Sequence, residues 1–239
     1  MRICPRKAIS FVGSHIYLNR KLCDVCAACS KQCPMNAMIM VGNETSVEEL
    51  VREIEKDQVF YEQSEGGITI SGGEPLLQLD FLDGLLEMCR ERGIHTAVDT
   101  CGYASQESFN RIRDKVGLFL YDLKLMDQTS HLKYTGVSNR TVIENFRFLA
   151  REGSEIWVRY PVVPGINDDE VNVVGIAELM FSEGVKQINL LPYHKSGIEK
   201  YRNLNRRYML GKIETPSDEK MNEIKKKLEA YGLAVKIGG

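Results

Sequence analysis

The sequence predicts an α/β fold, a partial parallel (β/α)6 barrel of the TIM type that lacks its first strand. Short apolar runs rich in β-branched residues alternate with helical stretches from Thr45 onward. Such alternation is typical of a parallel sheet with right-handed crossovers. Polar residues recur where the strands end, at Glu74, Asp99, Thr100, Asp122, Lys124, Arg159 and His194. Several strands that contribute side chains to one carboxyl-terminal edge favour a barrel or open half-barrel over a doubly wound sheet.

Six strands are predicted, at residues 68–71, 95–99, 118–123, 156–161, 187–191 and 233–237. Helices are predicted at residues 46–61, 79–92, 105–114, 139–151, 168–182 and 215–232. Ser46 and Glu49 form a capping box for the first of these helices. Asn167 or Asp168 caps the fifth, and Pro216 stands at the first position of the last. Residues 195–213 are predicted to be a polar loop.

The composition is that of an ordinary globular chain of 239 residues, with 43% apolar and 27% charged residues. A net charge of −2 gives no electrostatic case for nucleic acid or a membrane surface as partner. No apolar run approaches the roughly 20 residues that span a bilayer. The first residues have no apolar stretch of the signal-peptide type, so a cytoplasmic location is expected.

Five of the seven cysteines fall within the first 33 residues, which indicates metal ligands rather than disulfides. Cys23, Cys26, Cys29 and Cys33, followed by proline, give the C-x2-C-x2-C-x3-C-P spacing of bacterial ferredoxins. The segment around Cys4 repeats the one around Cys33, since both read Cys-Pro-x-x-Ala. A zinc knuckle is the alternative, but it requires a second ligand pair at a distance.

Ligation in two-cluster ferredoxins is crossed, because the fourth cysteine of each run binds the other cluster. Cys23, Cys26 and Cys29 are therefore expected to share a [4Fe–4S] cluster with Cys4, and Cys33 to serve a second cluster. Residues 1–42 are interpreted as an incomplete ferredoxin-like insert and residues 43–239 as the partial barrel. The chain is thus expected to begin inside a motif.

A strand that runs into Gly72, Gly73 and Glu74 places a carboxylate beside backbone that a ligand can approach closely. The same residues also suit a plain turn between strand and helix. Cys89 lies on an apolar helix face and is expected to pack in the core. Cys101 is interpreted as a small buried residue, with a reactive thiol as the alternative.

Taken together, six motifs identify the chain as similar to the glycyl radical enzyme activating enzymes of the radical S-adenosylmethionine (SAM) superfamily, in the branch with a ferredoxin-like insert. The resemblance covers essentially the whole chain. The motifs are the ferredoxin cysteines, Ser71-Gly72-Gly73-Glu74-Pro75, Asp99-Thr100-Cys101-Gly102, Asp122-Leu123-Lys124, Arg159-Tyr160-Pro161-Val162-Val163-Pro164-Gly165 and Leu191-Pro192-Tyr193-His194.

The resemblance implies a role for each motif. Gly72, Gly73 and Glu74 would hold the methionine amino group of SAM, and His194 would contact its ribose or adenine. Asp122 and Lys124 would line its polar part, with Arg159 close by. A monovalent cation would be held beside the SAM carboxylate by Asp99, Asp122 and the carbonyls of Thr100 and Leu120.

One departure from the family concerns the C-x3-C-x2-C loop that binds the catalytic cluster. No cysteines of this chain have that spacing, and the loop is expected upstream of residue 1. No residue of this chain is therefore assigned a catalytic role, and residues 1–239 are expected to be inactive alone.

The complete protein is expected to be an oxidoreductase of anaerobic metabolism that cleaves SAM and generates a glycyl radical on a transient partner enzyme. Flavodoxin or ferredoxin is the expected electron donor. The alternative is a ferredoxin-fused electron-transfer or binding module without radical chemistry. Arg202, Arg206 and Arg207 form either a solvated run or part of a protein-binding edge.

Overall fold

The computed structural model describes residues 3–13, 15–204 and 206–238. The chain divides into two compact units. The first comprises residues 1–45 together with 195–212, and the second comprises residues 46–194 together with 213–239. Among the described residues, none of the helices has the length and apolar content that crossing a bilayer requires.

The strands are β1 (Ile9–Val12), β2 (His15–Leu18), β3 (Gly67–Ile70), β4 (His95–Thr100), β5 (Leu118–Asp122), β6 (Ile156–Val162), β7 (Gln187–Pro192) and β8 (Ala234–Ile237). In the first unit, β1 and β2 pair as an antiparallel hairpin. In the second unit, β3 to β8 form one sheet in chain order, and every neighbouring pair is parallel. The order never reverses, which confirms the barrel-type connection and excludes a doubly wound sheet.

The helices are α1 (Ala28–Lys31), α2 (Val47–Ile54), α3 (Gln58–Ser64), α4 (Leu79–Glu91), α5 (Gln106–Ile112), α6 (Gln128–Thr135), α7 (Arg140–Arg151), α8 (Glu170–Ser182), α9 (Gly197–Asn203) and α10 (Asp218–Glu229). The six predicted strands of the sheet are confirmed, each within one or two residues. The predicted helices are also present, with the corrections described next.

Five predictions that concern helices need correction. The helix expected at residues 46–61 is divided by a 3-10 turn at Glu55–Asp57, and residues 195–213 contain α9 instead of being loop throughout. Between the strand predicted at residues 118–123 and the helix predicted at 139–151, where no helix was predicted, lies α6, whose N-cap Asp127 accepts from the amide of Ser130 at 2.8 Å. Helix α8 is capped by Asp169, not by its two predecessors, and α10 starts after Ser217.

The two faces of the parallel sheet differ in chemistry. Alternate residues of β5 and β6, such as Phe119, Tyr121 and Val158, are fully buried and pack against the surrounding helices. Each such side chain stabilises the fold by about 1.5–3 kcal/mol through burial. The residues between them, including Asp122 and Arg159, point to the opposite face and keep part of their surface exposed.

The prediction that Cys89 packs in the core is confirmed. Its side chain is buried in an apolar cluster with Val51, Leu85 and Ile94. Burial raises the pKa of this thiol, so it stays protonated and unreactive at neutral pH.

Candidate functional site

The carboxyl-terminal edge of the parallel sheet collects the polar residues. The register sets Asp99 of β4 opposite Leu120 of β5, and Asp122 opposite Arg159 of β6. The amide of Tyr193 donates to the carbonyl of Val162 at 3.0 Å, so the segment after β7 continues along the end of β6. His194 follows directly and is exposed at the same end of the sheet.

The turn after β3 leaves its backbone open. Gly72 has φ of 132°, a value that side chains other than glycine rarely adopt. A Cβ atom added at Gly72 or Gly73 would have no heavy atom of the surrounding protein within 4 Å. Free space beside exposed main chain permits the close approach of a ligand.

Glu74 is held in place by its neighbours on β4. Its Oε1 accepts a hydrogen bond from the Thr100 hydroxyl at 2.8 Å, and its Oε2 accepts one from the Cys101 amide at 2.9 Å. Glu74 also caps the short turn that follows it, through the Leu76 amide at 3.4 Å. A carboxylate offers about four acceptor sites. Besides these three bonds, the carboxylate accepts, among the residues that the structure describes, only the weak Cys101 thiol donor, which an ammonium group can displace.

Cys101 adjoins this carboxylate and is half-buried. Burial first, and then its hydrogen bond to Glu74, raise the pKa of the thiol. A thiol that stays protonated at neutral pH is a poor nucleophile. This agrees with the structural interpretation of Cys101 rather than with the reactive one.

A second group, the rim network, consists of Asp99, Asp122, Lys124 and Arg159. The Arg159 guanidinium pairs with Asp99 Oδ2, and its Nε lies 3.9 Å from Asp122 Oδ1. Lys124 Nζ lies 3.2 Å from Asp122 Oδ2. The Ser71 hydroxyl donates to Asp99 Oδ2 at 2.9 Å. Two carboxylates and two cations alternate, so the network is electrically balanced.

The electrostatics of the rim network centre on Asp122. Burial raises the pKa of its carboxyl group, and the charges of Lys124 and Arg159 oppose that rise. The two carboxylates that the resemblance assigns to a monovalent cation are already paired with Arg159. Within the described part of the chain, no three metal-ligating side chains surround a common point. Any cation here would therefore compete with the guanidinium.

Three buried asparagines fix the loop that carries Lys124, a role that the sequence analysis did not predict for them. Asn167 and Asn172 donate to the Lys124 carbonyl at 3.0 and 3.3 Å. Asn139 donates to the carbonyls of Leu125 and Met126 at 3.1 and 2.7 Å. The available signal was their position just before or inside the start of a helix, next to a strand-end motif. These hydrogen bonds fix the main chain from Lys124 to Met126.

In the first unit, the two copies of the Cys-Pro-x-x-Ala repeat have the same local geometry. The amide of Ala8 donates to Cys4 Sγ and that of Ala37 to Cys33 Sγ, both at 3.2 Å. The residue before each alanine, Lys7 or Asn36, has a left-handed backbone with φ of 51° or 50°.

Such amide bonds favour the thiolate form. The amides of Ala37, Met38 and Met35 lower the pKa of the Cys33 thiol. All seven cysteines are free. Hydrogen bonds to sulfur are characteristic of iron–sulfur ligation, and each iron of a [4Fe–4S] cluster takes one thiolate. The residue types of the first unit suit such a cluster, although among the described residues the structure does not gather three metal-ligating side chains around one point.

Comparisons with known proteins agree on one family. Residues 20–174 match the model of the radical SAM superfamily. The chain is 43% identical over 242 residues to the trans-4-hydroxy-L-proline dehydratase activating enzyme of Clostridioides difficile, covering 100% of this chain and 80% of the relative. It is 43% identical over 217 residues to the isethionate sulfite-lyase activating enzyme of Nitratidesulfovibrio vulgaris, a match that covers 89% of this chain and 70% of that relative.

A solved structure gives the same result. A domain of the pyruvate-formate lyase-activating enzyme from Bacteroides vulgatus superposes with a TM-score of 0.62 at 37% identity. The match covers 73% of this chain and 99% of that domain.

Proposed function

Because this chain belongs to the radical SAM superfamily and, within it, to the activating enzymes of glycyl radical enzymes, we propose that the carboxyl edge of its sheet is the SAM site. The observation that carries the proposal is Glu74, a carboxylate oriented by Thr100 and Cys101 beside the open backbone of Gly72 and Gly73. When bound, SAM and a reduced [4Fe–4S] cluster supply a 5′-deoxyadenosyl radical that takes a hydrogen atom from a glycine of the partner enzyme.

The residues of the site bind and orient the methionine part of SAM. Glu74 accepts from its ammonium group, and the open backbone at Gly72 and Gly73 lets that group approach. Lys124 and Arg159 are the nearby cations for its carboxylate. Charge-assisted hydrogen bonds of this kind are roughly twice as strong as neutral ones.

The remaining assignments follow the resemblance. His194, exposed at the same end of the sheet, offers a flat ring to the ribose or adenine. A monovalent cation at Asp99, Asp122 and the carbonyls of Thr100 and Leu120 competes with Arg159 for the two carboxylates.

Cys23, Cys26 and Cys29 with Cys4 hold one [4Fe–4S] cluster of the first unit, and Cys33 serves a second. Flavodoxin or ferredoxin supplies the electrons. The free thiols are consistent with the reducing cytoplasm.

The partner is assigned only to its class. Two relatives that are equally identical to this chain are named for different enzymes, a hydroxyproline dehydratase and an isethionate sulfite-lyase. We therefore propose a glycyl radical enzyme as partner without choosing among these types.

The test uses a form extended upstream to include the expected C-x3-C-x2-C run, reconstituted anaerobically with iron and sulfide. Dithionite reduction with SAM should release 5′-deoxyadenosine and methionine, and a glycyl radical should appear on an added partner by electron paramagnetic resonance. Iron loading without release of 5′-deoxyadenosine would instead favour an electron-transfer module.

A further inference from the structure

The net charge of the chain is small because its two units carry opposite charges. Residues 1–45 and 195–212 contain twelve Lys and Arg but only three Asp and Glu. The remaining residues contain 19 Lys and Arg and 30 Asp and Glu. The cysteine-bearing unit is therefore strongly basic and the sheet unit strongly acidic. A field of this kind attracts an acidic partner to the first unit and gives no such attraction elsewhere.

Part of this charge is gathered into one basic patch, which consists of Arg20, Lys21, Lys200, Arg202 and Arg206. The Arg20 guanidinium donates to the carbonyl of Asn203 at 2.9 Å and joins the end of β2 to the end of α9. The amide of Arg206 donates to the carbonyl of Tyr201 at 2.8 Å and folds the chain back toward α9. All five side chains of the basic patch are exposed.

Little of this charge is neutralised inside the unit. Among its described residues, ion pairs join Arg6 to Asp24 at 2.9 Å and Arg202 to Glu199 at 3.0 Å. Bound clusters with thiolate ligands are anionic, but they would offset only part of the excess. Carrying several like charges at close range costs stability, which argues for a function outside the fold.

The basic patch lies next to a cluster ligand. The carbonyl of Asn19 accepts from the amides of Leu22 and Cys23, both at 3.2 Å, in a tight turn that starts directly before Arg20. The Asn19 side chain also accepts from the Lys21 amide at 3.1 Å. Arg20 and Lys21 thus belong to the same turn as Cys23, the first cysteine of the ferredoxin run. A partner that docks on the basic patch is brought close to the cluster.

We propose that the basic patch is the docking surface for an acidic one-electron carrier of the flavodoxin or ferredoxin type. The inference rests on the proposed function in one respect, the cluster at Cys23. In each encounter the carrier loses one electron and the cluster of the first unit gains it. The charge of the carrier is assigned from complementarity to the basic patch.

The surroundings of the basic patch suit a short-lived redox complex. The same unit also has exposed apolar side chains, Phe11, Val12, Tyr17 and Leu22, which offer contact area to a partner. Electron-transfer complexes have small interfaces and depend on charge for rapid association. A glycyl radical enzyme is a less suitable partner for the basic patch, because it has to present its glycine to the SAM site, which belongs to the other unit. Nucleic acid is also less suitable, because its binding does not require a cluster ligand nearby.

The experiment uses the full chain reconstituted with iron and sulfide and, as probe, a purified flavodoxin of net negative charge in its hydroquinone form. Stopped-flow absorbance follows cluster reduction as ionic strength is varied. Lys200→Glu with Arg206→Glu reverses charge within the basic patch. Lys186→Glu with Lys226→Glu makes the same change in net charge on exposed positions of the second unit. Dithionite reduction provides the control for cluster integrity.

At low ionic strength we expect the first double variant to be reduced by flavodoxin at least about tenfold more slowly than the unsubstituted chain. The second variant should keep the unsubstituted rate, and the difference should vanish at high salt. Dithionite should reduce all three forms alike.

Equal slowing by both double variants, or flavodoxin rates independent of salt, would overturn the proposal. So would patch variants that keep the flavodoxin rate but lose affinity for a glycyl radical enzyme or for a DNA duplex. Absence of SAM cleavage with dithionite in the extended form would count against the proposed function, and it leaves the flavodoxin rates as an independent test of docking.

Discussion

The hydroxyl of Thr100 donates a 2.8 Å hydrogen bond to Glu74 Oε1 and joins the ends of two neighbouring strands. Thr100 is itself buried and accepts from the amide of Gly102 at 3.0 Å. Ile70 and Val98 pair in the register just before, so the two strand ends lie side by side. The direction of the Glu74 carboxylate is therefore set by β4 and the turn that follows it, before any ligand arrives.

Replacement of Glu74 by alanine should weaken SAM binding, because the ammonium loses a charged acceptor. A lost bond to a charged group costs about 1.5–3 kcal/mol, or roughly 10- to 150-fold in affinity. Calorimetry of SAM binding to the extended form measures the change. Glu107→Ala, which removes an exposed carboxylate from α5, is the matched control and should have no effect. Unchanged affinity in the Glu74 variant would refute the assignment.

Replacement of Thr100 by valine should have a smaller effect on the same measurement. The carboxylate remains and keeps its bond to the Cys101 amide, so affinity should fall by less than in Glu74→Ala, roughly 2- to 12-fold, or about 0.5–1.5 kcal/mol. A Thr100→Val effect as large as that of Glu74→Ala would mean that Thr100 acts on folding rather than through Glu74.

Arg159 should control whether the site responds to monovalent cations. Its guanidinium pairs with Asp99 and approaches Asp122, so Arg159→Gln leaves two nearby carboxylates without that cation. We expect the variant, but not the unsubstituted chain, to melt a few degrees higher in potassium chloride than in choline chloride at equal ionic strength, since about 1 kcal/mol corresponds to roughly 2–4 °C at this size. Arg111→Gln, which removes an arginine from Asp80 and Asp83, is the control. The same response in all three forms would contradict the competition.

The sequence predicts the sheet well because each strand has its own local signal. The runs that became β3 to β7 are mostly apolar, with polar or charged residues at or just after their ends, and parallel pairing then fixes their common edge. Helix α6 was missed because its residues, Gln128–Thr135, are polar and small, with no apolar periodicity. The hairpin of β1 and β2 was missed because its strands are both short and without a buried residue, so they show no burial pattern.

The sequence predicts which residues of the candidate site lie together. It does not predict which of them form ion pairs. Glu74, Asp99, Asp122 and Arg159 were expected at one edge from their positions at strand ends. The pairing of Arg159 with Asp99 was not, because it crosses from β6 to β4 over the intervening strand. Such a contact depends on side-chain length and sheet curvature, which no local pattern encodes.

Asp83 should make stability depend on pH. Its burial raises the pKa of the carboxyl, but the bonds from Lys115 at 2.5 Å and Arg111 at 2.9 Å prevail and lower it below its usual 3.8. The stabilisation is therefore present above that pH and is lost as pH falls through the lowered value. We expect Asp83→Asn to lower the free energy of unfolding by about 1–3 kcal/mol at pH 7 and to cost progressively less below about pH 4.

Urea titrations followed by the fluorescence of Trp157, the single tryptophan, measure this difference within the second unit. Asp80 is the other carboxylate partner of Arg111, and its side chain is 91% exposed. Asp80→Asn should therefore change stability little. A difference between Asp83→Asn and the unsubstituted chain that is constant from pH 7 to pH 3 would contradict the ion-pair explanation.

Cys4 and Cys33 occupy equivalent positions in the repeat and should nevertheless differ in importance for one cluster. Crossed ligation assigns Cys4 to the cluster of Cys23, Cys26 and Cys29, so Cys4→Ala should remove more of its iron than Cys33→Ala. Iron content and the visible charge-transfer band of the reconstituted chain give the comparison. Ala8 and Ala37 donate to the two sulfurs at the same distance, so local geometry does not favour either cysteine. Equal losses in both variants would argue for uncrossed ligation.

Residues 1–239 produced alone should not release 5′-deoxyadenosine. Homolysis of SAM needs an electron from a reduced iron–sulfur cluster, and the resemblance assigns that cluster to a C-x3-C-x2-C loop. The cysteines of this chain lie at positions 4, 23, 26, 29, 33, 89 and 101, and no three of them have the C-x3-C-x2-C spacing. Glu74, Asp122 and His194 position a ligand but have no electron to give.

The measurement compares residues 1–239 with the form extended upstream, each reconstituted anaerobically with iron and sulfide and reduced with dithionite. The extended form should release 5′-deoxyadenosine, while the shorter form should bind iron through its first unit and release none. Alanine at Cys89, which is buried, serves as a control for cysteine loss outside both cluster runs. Release by residues 1–239 at the rate of the extended form would mean that the ferredoxin cysteines, or others in this chain, carry the radical chemistry.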